Sequence, residues 1–283
     1  MEHVRWTARP ELHEPVVIAA FEGWNDAGDA ASTAARYLID RWEAEVVADV
    51  DPEEFYDFTN TRPQVSLDDD GLRQIDWPAT EIHAATIPGT DTHVLIIVGT
   101  EPQLRWRTYT DELTEIATSQ GARLCITLGA LLAEVPHTRP TPVVGTAYAP
   151  DVVAGLDLQP STYEGPTGIV GVLHDAWRRA GLRSASLWAT VPSYVPGAPS
   201  PKAALALIER TATMLDTWIA TTDLEIASAS YERQVSELVD ADEETATYVT
   251  SLEERHDGNH DVPGVLPSAE TIAEEVERFL RDQ

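Results

Sequence analysis

Acids and guanidiniums set at the ends of apolar runs are the residues of this chain best placed to do chemistry. Glu22, Glu101, Gly129 and Ser193 each stand at or just past the end of such a run. If the runs are parallel strands, their carboxyl ends share one edge. Glu22, Asn25, Asp26, Glu101, Arg105, Glu134, His137 and Arg139 would then gather there. Opposed carboxylates and guanidiniums in a cleft can bind a small polar ligand, or shift a carboxyl pKa far enough for acid–base work. The same groups can act structurally, with Glu22 and Glu101 pairing to Arg105 or Arg62 and locking loops at a subunit interface. The structural use has the better support, because no nucleophile stands out. There is no Gly-x-Ser-x-Gly elbow, and Ser193 in Pro192-Ser193-Tyr194 has no evident base.

The remaining motifs are weaker. Asn25-Asp26-Ala27-Gly28-Asp29 superficially suits a metal or a phosphate, but it lacks the spacing of a calcium loop and its acids would repel phosphate. An N-cap on the following helix, from Asn25 or Asp26, explains these residue types better. Gly165, Gly168 and Gly171 do not have the spacing of a dinucleotide fingerprint; small residues so placed let a helix approach its neighbours closely. His137 with Glu134 has no second histidine at ligand spacing. His174 and Asp175 are expected mid-helix and partly exposed, His256 and His260 in a solvated loop. Trp24, Trp106, Tyr163 (beside Glu164) and Tyr194 adjoin the polar turns, where large rings wall a pocket or anchor a subunit contact. No cofactor or metal is expected.

Positioning these residues requires a sheet. Strand-like runs occur at Val16–Phe21, Val46–Asp49, Ile82–Ile87, Val94–Val98, Leu124–Leu128, Val143–Ala147 and Ser186–Ala189. Helical periodicity lies between several of them. It covers Ala30 to Asp40, the set Trp106, Tyr109, Leu113, Ile116 and Ala117, and the set Ile169, Val172, Leu173, Ala176 and Trp177. Apolar strands alternating with amphipathic helices predict a three-layer α/β/α sandwich with a mostly parallel sheet. Ser200-Pro201 reads as an N-cap followed by proline at the first helical position, opening a helix that closes the core near Thr221. Residues 1–221 are thus expected to form the α/β core and 222–283 an acidic helical extension. That extension holds one helix through Leu224 to Leu238, a second capped by Asp240, and a last from Ser268 to Arg281.

Composition excludes several classes. The chain has 283 residues, 43% hydrophobic, with 48 acids against 19 bases and a formal net charge of -29. Such a balance repels nucleic acid and anionic membranes. No apolar run approaches the roughly 18 residues of a membrane span, and the start lacks a signal-peptide layout. Cys125, the only cysteine, lies in the run Leu124-Cys125-Ile126-Thr127-Leu128 and reads as a small core residue. A reducing cytoplasm is the natural location.

Several motifs together carry a resemblance. They are Glu22-Gly-Trp-Asn-Asp-Ala-Gly-Asp29, Tyr56-Asp-Phe-Thr-Asn-Thr-Arg-Pro63, Gly99-Thr-Glu-Pro-Gln-Leu-Arg-Trp106, Leu128 to Pro140, Tyr163-Glu-Gly-Pro-Thr-Gly-Ile-Val-Gly171 and Val191-Pro-Ser-Tyr-Val-Pro196. In this order the sequence resembles the proteasome assembly chaperone 2 family in its actinobacterial form, from about Val16 to about Asp216. The resemblance implies a phosphorylase-like α/β/α fold, a ring-like homo-oligomer, expected to be a trimer, and no established catalytic activity. It also implies a link to proteasome assembly, which many relatives make through a hydrophobic-Tyr-any tail. Here Asp282 stands where that tyrosine would be, so this docking device is not expected. The favoured expectation is a non-enzymatic assembly or interaction protein, with itself and then proteasome subunits or another protein as partners. The alternative is a hydrolase- or phosphorylase-like enzyme, or a small-molecule sensor, using the strand-end cleft.

Overall fold

A computed structural model describes residues 1–68 and 71–258. The predicted last helix from Ser268 to Arg281, His260 and Asp282 lie outside the described residues. In chain order the strands are β1 (Val4–Trp6), β2 (Val16–Glu22), β3 (Glu45–Val50), β4 (Gln64–Leu67), β5 (Arg73–Asp76), β6 (Thr80–Thr86), β7 (His93–Thr100), β8 (Leu124–Ala133), β9 (Val143–Ala147), β10 (Gln159–Pro160) and β11 (Ser184–Pro192). The helices are α1 (Ala30–Arg41), α2 (Trp106–Ser119), α3 (Pro150–Gly155), α4 (Ile169–Arg179), α5 (Pro201–Met214), α6 (Thr222–Asp240) and α7 (Glu243–Gly258).

Nine strands form one sheet in the order β1-β3-β6-β7-β2-β8-β11-β9-β10. The centre, β7-β2-β8-β11, is parallel throughout. Both flanks reverse direction: β6 runs antiparallel to β7 and β3, β3 to β1, and β9 to β11. The sheet is therefore mixed rather than mostly parallel. The expectation holds where strands are buried on both faces. Every residue from Val16 to Phe21 is fully buried, which is what a continuous apolar run in a central parallel strand requires.

Helices cover both faces. On one, Ala34, Leu38, Leu207 and Ile208 of α1 and α5 pack over Ile18, Ile96, Leu128 and Leu187. On the other, Leu113, Ile116, Leu173 and Trp177 of α2 and α4 pack over Val17, Ala19, Leu95 and Ile97. Cys125 lies in this second layer, and burial pushes its thiol up to about 12. Each fully buried large side chain contributes about 1.5–3 kcal/mol, so the two layers hold the sheet as one body.

Two boundaries differ from the expected ones. The helix opened by Ser200, whose Oγ accepts from the Ala203 N–H at 3.3 Å, ends at Met214 and not near Thr221. The residue bonding the first turn of α7 is Asp242, through the Thr245 hydroxyl and N–H, whereas Asp240 is the last residue of α6. The helix α6 packs on α5, and α7 on α6. Outside the main sheet, β4 and β5 form a separate two-stranded ribbon.

Candidate functional site

The turn after β2 is held by its own polar side chains. Asp26 is 4% exposed. Its Oδ1 accepts from the N–H groups of Ala31 at 2.6 Å and Ser32 at 3.2 Å, donors that the first turn of α1 would otherwise leave unpaired. Its Oδ2 is buried and has no hydrogen-bond partner. Burial pushes the Asp26 carboxyl pKa up, against the pull of the Ser32 and Ala31 donors. Gly28 takes φ +58, and its carbonyl accepts from the Ser200 N–H at 2.7 Å, which ties the turn to the start of α5.

Asn25 and Glu101 join three elements. The Asn25 Nδ2 donates to Glu101 Oε1 at 3.0 Å, and the Ile169 N–H at the start of α4 donates to the same oxygen at 2.7 Å. A carboxylate there meets the positive end of the helix. Burial raises the Glu101 pKa, and these donors oppose the rise. Gly168 lies at the junction. A Cβ on it would stand 2.5 Å from Asn25 Nδ2 and 2.7 Å from Glu101 Oε1. Gly165 and Gly168 precede α4, and a Cβ on Gly171 would meet Thr167 of the same segment, so the glycine spacing does not serve the close helix approach expected of it.

The expected acid–arginine pairs across this edge are not the ones formed. Glu22 pairs with Arg36 and accepts from the Thr100 hydroxyl at 3.0 Å. The exposed Arg105, at φ 52, pairs with Glu54. Arg62 is exposed beside the β4–β5 ribbon, and Glu164 is exposed next to Tyr163. The Trp106 indole N–H donates to the Pro102 carbonyl and holds the start of α2.

Glu134, His137 and Arg139 bond to the C-terminal helices instead of joining Glu22 and Glu101. Glu134 meets Arg255 at 3.1 Å. Arg139 holds Asp257 through two bonds of 2.8 and 2.7 Å and keeps that carboxyl down to about 2. His137 is buried, with Nδ1 2.8 Å from the Tyr194 hydroxyl and Nε2 2.9 Å from Ser236 Oγ. Burial and then the charge of Lys202 lower its pKa. The Lys202 ammonium donates to the His137 carbonyl at 2.6 Å and pairs with Glu232. Tyr194 itself stacks edge-on against Tyr248.

Next to the β2 turn opens a cavity of about 690 Å³. Trp24, Tyr148, Tyr163 and Trp188 line it, with Asp26 and Asp29 on one side and the segment from Pro196 to Ala198 on another. His174 reaches it from α4, and contrary to expectation this histidine is only 6% exposed. Its ring nitrogens meet the hydroxyls of Thr127 at 2.8 Å and Ser184 at 3.0 Å, and burial lowers its pKa to about 4. Tyr148, Ser186 and Trp188 were not singled out from the sequence. A signal existed: Ser184, Ser186, Trp188 and Thr190 alternate with Ala185, Leu187 and Ala189 along β11, so one face of that strand had to meet something polar. Among the described residues no group of three His, Cys, Asp or Glu is placed to hold a metal ion.

The sequence pattern of the PAC2 family matches residues 20–239. Among solved structures, a PAC2 family protein from Streptomyces avermitilis is 45% identical, with a TM-score of 0.76 over 83% of this chain and 99% of that one. A Mycobacterium tuberculosis proteasome-assembly chaperone homologue is 42% identical, with a TM-score of 0.75 over 83% and 99%. An archaeal proteasome activator from Pyrococcus furiosus shares the fold at 17% identity, with a TM-score of 0.66 over 84% and 99%. No curated protein matches the chain.

Proposed function

The chain belongs to the PAC2 family, and on that premise we propose that it is a non-enzymatic, assembly-chaperone-like interaction protein that works as a homo-oligomer of three copies. The observation that carries this reading is the β4–β5 ribbon. Val65 pairs with Ile75 and Leu67 with Arg73, so by the period of two Val65, Leu67, Ile75 and Arg73 share one face, with Trp77 just past the end of β5 continuing it. Gln64, Ser66, Gln74 and Asp76 share the other. Both strands are exposed along their whole length, Val65 at 52% and Leu67 at 68%. An isolated two-stranded ribbon is marginal in water, and an apolar face of this kind on a soluble chain marks a contact with another chain. Trp77 reaches back to Phe58 at 4.9 Å between ring centroids and anchors the ribbon to the body.

The rim residues support the same reading. Glu22, Glu101 and Arg105 are each engaged in bonds that fix loops, and rigid loops suit a recognition surface. Likeness of such a sheet to phosphorylases carries no activity with it. The likeness to a mycobacterial proteasome-assembly chaperone homologue makes proteasome subunits the first candidates for a further partner. Native mass spectrometry of complexes purified from the source cells tests the proposal. The expected result is a homo-oligomer carrying a stoichiometric protein partner. Repeated recovery of the chain alone would overturn it.

A further inference from the structure

We propose that the cavity beside the β2 turn is a binding site for a small organic cation, an ammonium or guanidinium group carried on an apolar body. The inference is independent of how many copies assemble. It starts from the charges on the wall. Among the described residues that line the cavity none is Lys or Arg, while Asp26 and Asp29 are acids. His174 is buried between two hydroxyls and stays neutral at physiological pH. Acids are thus the only side chains on this wall that carry charge when ionised at physiological pH, and a phosphate or carboxylate ligand would find no counter-charge there.

Two further observations specify the ligand. Asp26 is 4% exposed, and its Oδ2 has no donor although Oδ1 has two. A buried carboxylate oxygen without a partner is costly, and an N–H donor with positive charge is the group that satisfies it best. The walls also carry four large aromatic rings, Trp24, Tyr148, Tyr163 and Trp188. Aromatic faces attract organic cations and also cover an apolar body. Trp24, Tyr148 and Tyr163 are 38%, 53% and 37% exposed, an unusual expense of aromatic surface unless something covers it. A volume of about 690 Å³ suits a ligand of small-molecule size. A metal ion fits poorly, since among the described residues no group of three His, Cys, Asp or Glu is placed to hold one.

Calorimetry on the full chain tests this with phenethylammonium, neutral 2-phenylethanol and anionic 3-phenylpropionate, which differ mainly in charge. Phenethylammonium should bind with a dissociation constant of about 1 mM or tighter, and the other two at least roughly tenfold more weakly. Asp26→Asn keeps an oxygen for the α1 cap and should weaken the amine roughly tenfold. Trp24→Ala, at a half-exposed ring that supports no core, should weaken the amine as well and serves if Asp26→Asn does not fold. The proposal is overturned if the amine shows no binding, if the alcohol or the carboxylate binds as tightly as the amine, or if folded Asp26→Asn binds the amine like wild type.

Discussion

Asp26 and His174 are buried polar side chains and Glu101 is a half-buried one, and their energetics can be tested one at a time. His174 has a folded pKa of about 4, below the 6.5 of a free imidazole. Between those values the unfolded chain binds more protons than the folded one. Stability is therefore complete above about pH 6.5 and declines as pH falls towards 4. His174→Gln, which can still meet both hydroxyls, should remove up to roughly 3 kcal/mol of that decline, measured as the difference in denaturation free energy between the two pH values. An unchanged pH slope would contradict it. At Gly168 a methyl group would strike Asn25 and Glu101, so Gly168→Ala should destabilise by about 1–3 kcal/mol in urea unfolding; a neutral effect would show that this junction yields. The residue types of the site were legible in sequence, and so was a cap from Asn25 or Asp26, of which the structure uses Asp26. Their pairings were not. Arg36 and Glu54 stand on other elements, and nothing in local spacing says that Glu22 would pair with Arg36, or Arg105 with Glu54.

At the scale of elements, the long apolar strands and amphipathic helices announced themselves by period, and their positions agree closely with the structure. What period cannot give is direction. The flanking strands β3 and β6 bury enough apolar surface to read like central ones, yet they run antiparallel to their neighbours. The short strands β1, β4, β5 and β10 are too brief or too polar to show alternation. The C-terminal pair α6 and α7 packs through Tyr231, Val235, Val239 and Val249 on Tyr194, Val195 and Ala198. Those helices therefore hold the loop that walls the cavity. Leu252 in α7 is 1% exposed, and Leu252→Ala should cost about 2–5 kcal/mol. Because Arg139 and Glu134 also hold α7, the loss should appear first as protease cleavage within α7, ahead of global unfolding. Equal protection of α7 in both proteins would argue against that order.

For the whole molecule, the balance is between a net charge of -29 and an uncovered apolar ribbon. Copies of so acidic a chain repel one another, and salt screens that repulsion over about 10 Å at 0.1 M. Assembly should tighten as salt rises, opposite to what an interface built on ion pairs would do; weakening with salt would contradict an apolar contact. The acidity was plain in the sequence, but the ribbon was not, since Val65, Leu67, Ile75 and Trp77 are scattered singly among polar residues until β4 and β5 pair. The most direct measurement is light scattering on the wild type and on Leu67→Asp/Ile75→Asp at micromolar concentration. The account predicts three times the 31.0 kDa chain mass for the wild type and the single-chain mass for the variant, with the same circular dichroism. A wild type at 31.0 kDa, or a variant that assembles unchanged, would contradict it.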